Sequence, residues 1–90
     1  MERVWVYQSN RLLTEGEQAT ASLLLSDFVA QWNAHGKALA GSFEIRYGLF
    51  IILKVDESVA MVTGCSIDKS VHLMQAIEQA TGVQLFDRML

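Results

Sequence analysis

The sequence predicts a small α+β domain with two layers, and three observations support this. The chain has 90 residues, which suffices for one domain and is too short for two. Segments with strand-like and helix-like apolar periodicity follow one another in the order β-α-β-β-α-β. Apolar residues make up 51% of the chain and charged residues 19%, which favours a packed core and excludes intrinsic disorder.

The order β-α-β-β-α-β is typical of the ferredoxin-like sandwich, in which an antiparallel sheet carries two helices on one face. Right-handed crossovers place the first and third strands in the middle of such a sheet. We therefore expect residues 1–90 to form a single domain of this class.

The first strand and first helix are predicted from the N-terminal third of the chain. Val4 to Gln8 is rich in β-branched and aromatic residues, which indicates a strand. Thr14 and Glu17 have the spacing of a capping box, so a helix should begin beside them. The helix is expected to end near His35 and Gly36, with Gly36 as its left-handed cap. The apolar positions with helical spacing are Ala21, Leu24, Leu25, Phe28 and Trp32.

Two further strands follow, joined by a tight turn. Ser42 to Tyr47 alternates between apolar and charged residues, and Tyr47 to Leu49 can reverse the chain. Phe50 to Val55 is apolar on both faces for most of its length, which is typical of a central strand. Val59 to Thr63 fits either a short extra strand or a connector.

The last third of the chain predicts a helix and a final strand. The helix covers Ile67 to about Ala80, with Ser66 or Asp68 as its N-terminal cap. Gly82 closes this helix, and Val83 to Phe86 forms the fourth strand.

This architecture leaves one face of the sheet without a helical cover, and that face is apolar. We expect Trp5, Tyr7, Phe50 and Ile52 to form a contiguous patch there, since both faces of the central strands are apolar. Exposed apolar patches of this kind usually mark an interaction site. The four residues are therefore the interface candidates, for a second copy or another protein. The alternative is that a loop or the tail of the same chain covers them.

Cys65 is the one candidate for reactivity. It lies at the start of the second predicted helix, where the helix dipole favours a thiolate, and the amides of Gly64, Cys65 and Ser66 could bind an anion. The alternative is a thiol that only packs in the core. His72 lies two helical turns away, roughly 10 Å along the axis, which is too far for a base. The chain contains neither Cys-x-x-Cys nor a phosphate-binding P-loop.

Charge and composition exclude other classes. The net charge of −3 disfavours nucleic acid, whose phosphates are bound by Lys and Arg. No apolar run is long enough to span a bilayer, and the start shows no targeting pattern, so we expect a cytoplasmic protein without a membrane partner. Two separated histidines and one cysteine do not have metal-ligand spacing. We expect no metal and no cofactor.

Four segments together resemble a family of small bacterial proteins of unknown function: VWVYQSNRLLTEGE, HGKALAGSFEIRYGLFIILKVDE, TGCSIDKSVHLMQAIEQ and GVQLFDRM. Some members carry an automated ABC-transporter ATPase label. The residues do not support that label, because the chain has no Walker A run and is too short for such a nucleotide-binding domain. Family members extend further at the C-terminus. The resemblance thus implies either a short member or the N-terminal part of a longer architecture, and it supplies no catalytic residues.

Three functions remain open from the sequence. The first is a non-enzymatic interaction or dimerisation module that uses the apolar sheet face. The second is a small-molecule-binding protein or cofactor-independent enzyme, formed when two chains pair sheet to sheet into a dimeric α/β barrel. This reading rests on analogy between folds. The third is a thiol or anion site at Cys65.

Overall fold

A computed structural model describes residues 2–34 and 36–86 of the chain. It contains a small antiparallel sheet and two helices, and their order along the chain differs from the predicted one. The elements are β1 (Glu2–Gln8), α1 (Glu15–Gln31), β2 (Asn33–Ala34), β3 (Lys37–Ala38), β4 (Ala40–Arg46), β5 (Phe50–Asp56) and α2 (Gly64–Thr81).

The main sheet has three strands in the order β1-β5-β4, all antiparallel. The central position of β5 agrees with its apolar residues on both faces. The first strand was expected in the middle of the sheet, and it lies at an edge of the described sheet instead. The α+β class is confirmed, and the arrangement is compatible with a two-layer sandwich. The ferredoxin-like order β-α-β-β-α-β is not confirmed.

Two features account for the different order: residues 83–86 form no strand in the described structure, and the short strands β2 and β3 pair where the end of the first helix was expected. Val83 and Leu85 are buried, but their segment is held by other bonds than a sheet ladder. The amide of Leu85 donates to Glu78 Oε2 at 2.7 Å. The amide of Gln84 donates to Asn10 Oδ1, and the Gln84 carbonyl accepts from the Asn10 amide. The alternating burial of Val83 and Leu85 therefore resembles that of a strand, although this segment is not paired in a sheet.

Helix α1 begins as predicted and ends four to five residues early. The capping box between Thr14 and Glu17 is present in both directions. The helix stops at Gln31 because Trp32 adopts an extended backbone with ψ 127°. Gly36 has a φ of +82°, but it lies in the turn between β2 and β3 and does not cap the helix. His35 lies outside the described residues.

Helix α2 begins one turn earlier than predicted. Thr63 is its N-cap and forms a capping box with Ser66, so neither Ser66 nor Asp68 is the cap. Gly82 ends the helix in the left-handed conformation, with φ +79°, which confirms the prediction. Residues 59–63 form a connector and no strand. The turn at Tyr47 and Gly48 is confirmed, with φ values of +58° and +64° that suit a tight hairpin.

The core lies between the sheet and the two helices. Its centre is formed by Ile51, Leu53 and Val55 of β5, all completely buried. Trp32 packs beside them, with its ring centroid 4.8 Å from that of Phe28 and 5.9 Å from that of Trp5. The remaining buried apolar residues are Leu13, Ala21, Leu25, Ala34, Leu39, Leu73, Met74, Ile77, Val83 and Leu85.

Arg11 forms a bidentate ion pair at the start of α1 and a hydrogen bond to the end of α2. The two terminal guanidinium nitrogens of Arg11, Nη1 and Nη2, each donate to a different carboxylate oxygen of Glu17 at 2.8 Å. One of them also donates to the Thr81 carbonyl at 3.1 Å. The hydrogen bonds from Arg11 and from the Thr14 amide lower the pKa of Glu17 to about 2.

Replacing Gly41 tests how tightly Trp32 is held. A Cβ on Gly41 would lie 3.0 Å from Trp32 Cε3, closer than ordinary van der Waals contact, so the buried ring would have to shift by a few tenths of an ångström. We expect Gly41→Ala to lower the free energy of unfolding by about 1–3 kcal/mol in urea titrations. Gly16→Ala is the control, because a Cβ there meets no atom within 4 Å. Its stability should be equal or raised by up to about 1 kcal/mol. Equal losses in the two variants would contradict this packing.

The pH dependence of stability tests the Arg11–Glu17 pair. A pKa that is lower in the folded state stabilises the fold above the unfolded value of 4.5, and this stabilisation is lost as the pH falls towards about 2. Glu17→Gln should therefore unfold at lower urea than the parent protein at pH 7, and the two midpoints should converge near pH 2. Glu15→Gln removes a charge from the same helical turn and is the control. A gap between Glu17→Gln and the parent that does not change with pH would contradict the assignment.

Candidate functional site

The face of the sheet turned away from the helices carries four neighbouring apolar side chains. Strand alternation and the pairing of Val6 with Ile52 place Val4, Val6, Phe50 and Ile52 on this side. We call these four residues the outer patch. Val4 is 48% exposed and Val6 60%, whereas Phe50 and Ile52 are half-buried. Val6 and Ile52 are direct cross-strand partners, for which the Cβ atoms lie about 4.5–5.5 Å apart, whereas Val4 is opposite Lys54 and Phe50 is opposite Gln8.

The predicted patch combined residues from both faces of the sheet. Trp5 pairs with Leu53 and Tyr7 with Ile51, so both aromatic residues lie on the helix side. They are half-buried and pack against the core. The prediction that Trp5 and Tyr7 share a face with Phe50 and Ile52 is therefore wrong. Val4 and Val6, which the sequence did not single out, occupy the outer positions of β1.

Charged residues border the outer patch on β4 and β5. Arg46 Nε donates to Glu44 Oε2 at 2.6 Å, and Lys54 Nζ lies 3.9 Å from Glu44 Oε1. The hydrogen bond from Arg46 lowers the pKa of Glu44. Glu2 and Asp56 pair at the opposite end of the same face. The outer face therefore has acidic residues at one end and Arg46 at the other, and between them Lys54 lies beside Val4 and Glu44 beside Ile52.

The structure brings Gly64, Cys65 and Ser66 into the first turn of α2. Cys65 is exposed, so the expectation of a thiol buried in the core does not apply. Ser66 is completely buried and is occupied by the helix cap: its amide donates to Thr63 Oγ1, and its hydroxyl accepts from the Thr63 amide at 2.7 Å. The amide of Ile67 also bonds within the helix, to the Thr63 carbonyl. An anion here would have to use the remaining amides, and this site stays a prediction.

A groove between α1 and α2 was not predicted. It encloses about 470 Å³ and is lined by side chains from the end of α1, from β2 and from the middle of α2. We call it the helix groove. Its lining residues are Phe28, Gln31, Trp32, Asn33, Lys69, His72 and Leu73.

The sequence contained a partial signal for the helix groove. Lys69, His72 and Leu73 are three and four positions apart and share one side of a helix. In the structure His72 is exposed, Trp32 is buried and Phe28 packs against the core. The groove arises because α2 packs against the end of α1, which residue spacing within one helix cannot show.

The described residues, 2–34 and 36–86, contain neither a metal-binding cluster nor a membrane-spanning helix. This part of the chain has no group of three or more His, Cys, Asp or Glu side chains arranged to hold a metal ion. Neither of its two helices combines the length and the apolar character needed to cross a bilayer.

No family model, curated protein or solved structure matches the chain. The resemblance to small bacterial proteins therefore stays a prediction.

Proposed function

We propose that this chain is a non-enzymatic dimerisation module, and that its outer face docks on the outer face of a second copy. The observation that carries the proposal is the outer patch, in which Val4 and Val6 are about half exposed beside Phe50 and Ile52. Apolar residues grouped in this way on a small protein favour burial against a partner.

The charges of the outer face favour a second copy over an unrelated partner. Glu2 and Asp56 occupy one end of the face, and Arg46 occupies the other. A twofold axis that lies between the sheets and perpendicular to the strands reverses the strand direction. It would place Val4 of one copy over Val6 of the other, and the acidic end of each over the Arg46 end of its partner. The same rotation places the row of each copy that holds Lys54 over the row of its partner that holds Glu44, so the charges of the face are complementary in sign.

The small extent of the face limits the contact that the dimer can form. Three strands about 4.8 Å apart, each about seven residues long, cover roughly 300 Å² of sheet plane. Stable interfaces bury about 800 Å² of accessible surface on each partner. We therefore expect a weak dimer, with a dissociation constant in the micromolar range or above, whose population rises with concentration.

Sedimentation velocity over about 5–500 µM tests this proposal. The parent protein should shift from monomer towards dimer, and Val6→Lys should weaken the dimer at least tenfold by burying an unpaired charge. Leu23→Lys is the matched control, because Leu23 is an exposed apolar residue of α1 with 68% exposure. It should leave the dissociation constant unchanged. A parent protein that stays monomeric at the highest concentration, or a Leu23→Lys variant that dissociates equally, would contradict the proposal.

The two other functions are distinguished by different results. A dimeric α/β barrel needs a ligand cavity between the paired sheets, whereas contact through the outer patch predicts an interface filled by Phe50 and Ile52. If the function is that of a thiol or anion site in the first turn of α2, it depends on Cys65. Cys65→Ser should therefore leave dimerisation unchanged, and a loss of the dimer in this variant would favour the thiol.

A further inference from the structure

We propose that the helix groove binds a small planar organic anion of the aromatic carboxylate class. The ring would lie against Phe28 and Leu73, and the carboxylate would face Lys69. This site lies on the helix layer, on the opposite side of the sheet from the outer patch. The inference is therefore independent of the proposed dimer.

The floor of the groove is apolar and aromatic. Phe28 is half-buried, Leu73 is buried, and the Trp32 ring lies 4.8 Å from that of Phe28 by centroid distance. The Trp32 indole N–H donates to the Ser66 carbonyl at 2.9 Å, which fixes the ring in place. A rigid aromatic floor favours a flat ring, because stacked and edge-to-face contacts add to the burial of its surface.

The rim of the groove is polar and carries positive charge. Lys69 Nζ donates to Asn33 Oδ1 at 3.3 Å, and Asn33 Nδ2 donates to the Gln31 carbonyl at 3.1 Å. Asn33 thus holds the ammonium group at the rim. An ammonium has three donors, so two remain for a ligand. His72 lies one helical turn further along α2 and can donate a ring N–H.

The charge at the rim of the groove is positive, whereas the net charge of the whole chain is negative. The protein has ten acidic and seven basic residues and a net charge of −3. Among the described lining residues of the groove there is one lysine and no carboxylate. Charge complementarity therefore favours an anion over a neutral or cationic ligand. The volume of about 470 Å³ lies within the range of small-molecule sites, which also combine an apolar floor with a few polar groups.

A pair of matched probes tests the inference. We suggest titrating 2-naphthoate and 2-naphthamide, which share a ring and differ in charge, and following the Trp32 indole N–H by NMR. We expect 2-naphthoate to shift this signal in a saturable way, with a dissociation constant of about 10 µM to 1 mM, typical of a small ligand in an open site. The neutral amide should bind at least tenfold more weakly.

Lysine variants assign the charge effect to the groove. Lys69→Gln should weaken 2-naphthoate binding at least tenfold, whereas Lys69→Arg should retain it within about threefold, since the charge is kept. Lys54→Gln is the control, because it removes the same charge from the outer face. Equal binding of the two probes, or equal losses in Lys69→Gln and Lys54→Gln, would overturn the inference. So would saturable shifts confined to residues outside α1, β2 and α2.

Discussion

The burial of Trp32 is the constraint on which the rest of the structure depends. Its side chain is 2% exposed and contacts elements from the whole chain. The ring packs on Phe28 of α1 and Trp5 of β1, and its indole N–H donates to the Ser66 carbonyl of α2. It also lies so close to Gly41 of β4 that a Cβ there would come within 3.0 Å of the ring. The large ring excludes water from the core, and the hydrogen bond satisfies its polar atom.

This packing makes the two faces of the sheet unlike each other. The helix side is closed by Trp32 and the apolar residues around it, whereas the outer side keeps Val4 and Val6 half exposed. The same helix layer presents the groove beside Trp32. The two proposed functions therefore use different surfaces: the sheet for association and the groove between the helices for ligand binding. A partner on one surface leaves the other accessible.

The features that could be predicted from the sequence are the local ones. The capping box of Thr14 and Glu17 depends on neighbouring residues alone, and it was predicted correctly. The predicted end of α1 was wrong because the position of Trp32 depends on contacts with residues far along the chain, such as its hydrogen bond to Ser66. The faces of β1 could not be assigned, since both are apolar and only packing decides between them. The helix groove joins Phe28 and Lys69, which tertiary packing alone brings together.

The central claim is that the outer patch of one copy packs against the outer patch of a second copy. Isotope-filtered NOE spectra of an equal mixture of ¹³C-labelled and unlabelled protein test it most directly, because they report contacts between chains alone. The account predicts intermolecular NOEs between the methyl groups of Val4 and Val6. Intermolecular NOEs that involve only helix residues, with none from these valines, would contradict it.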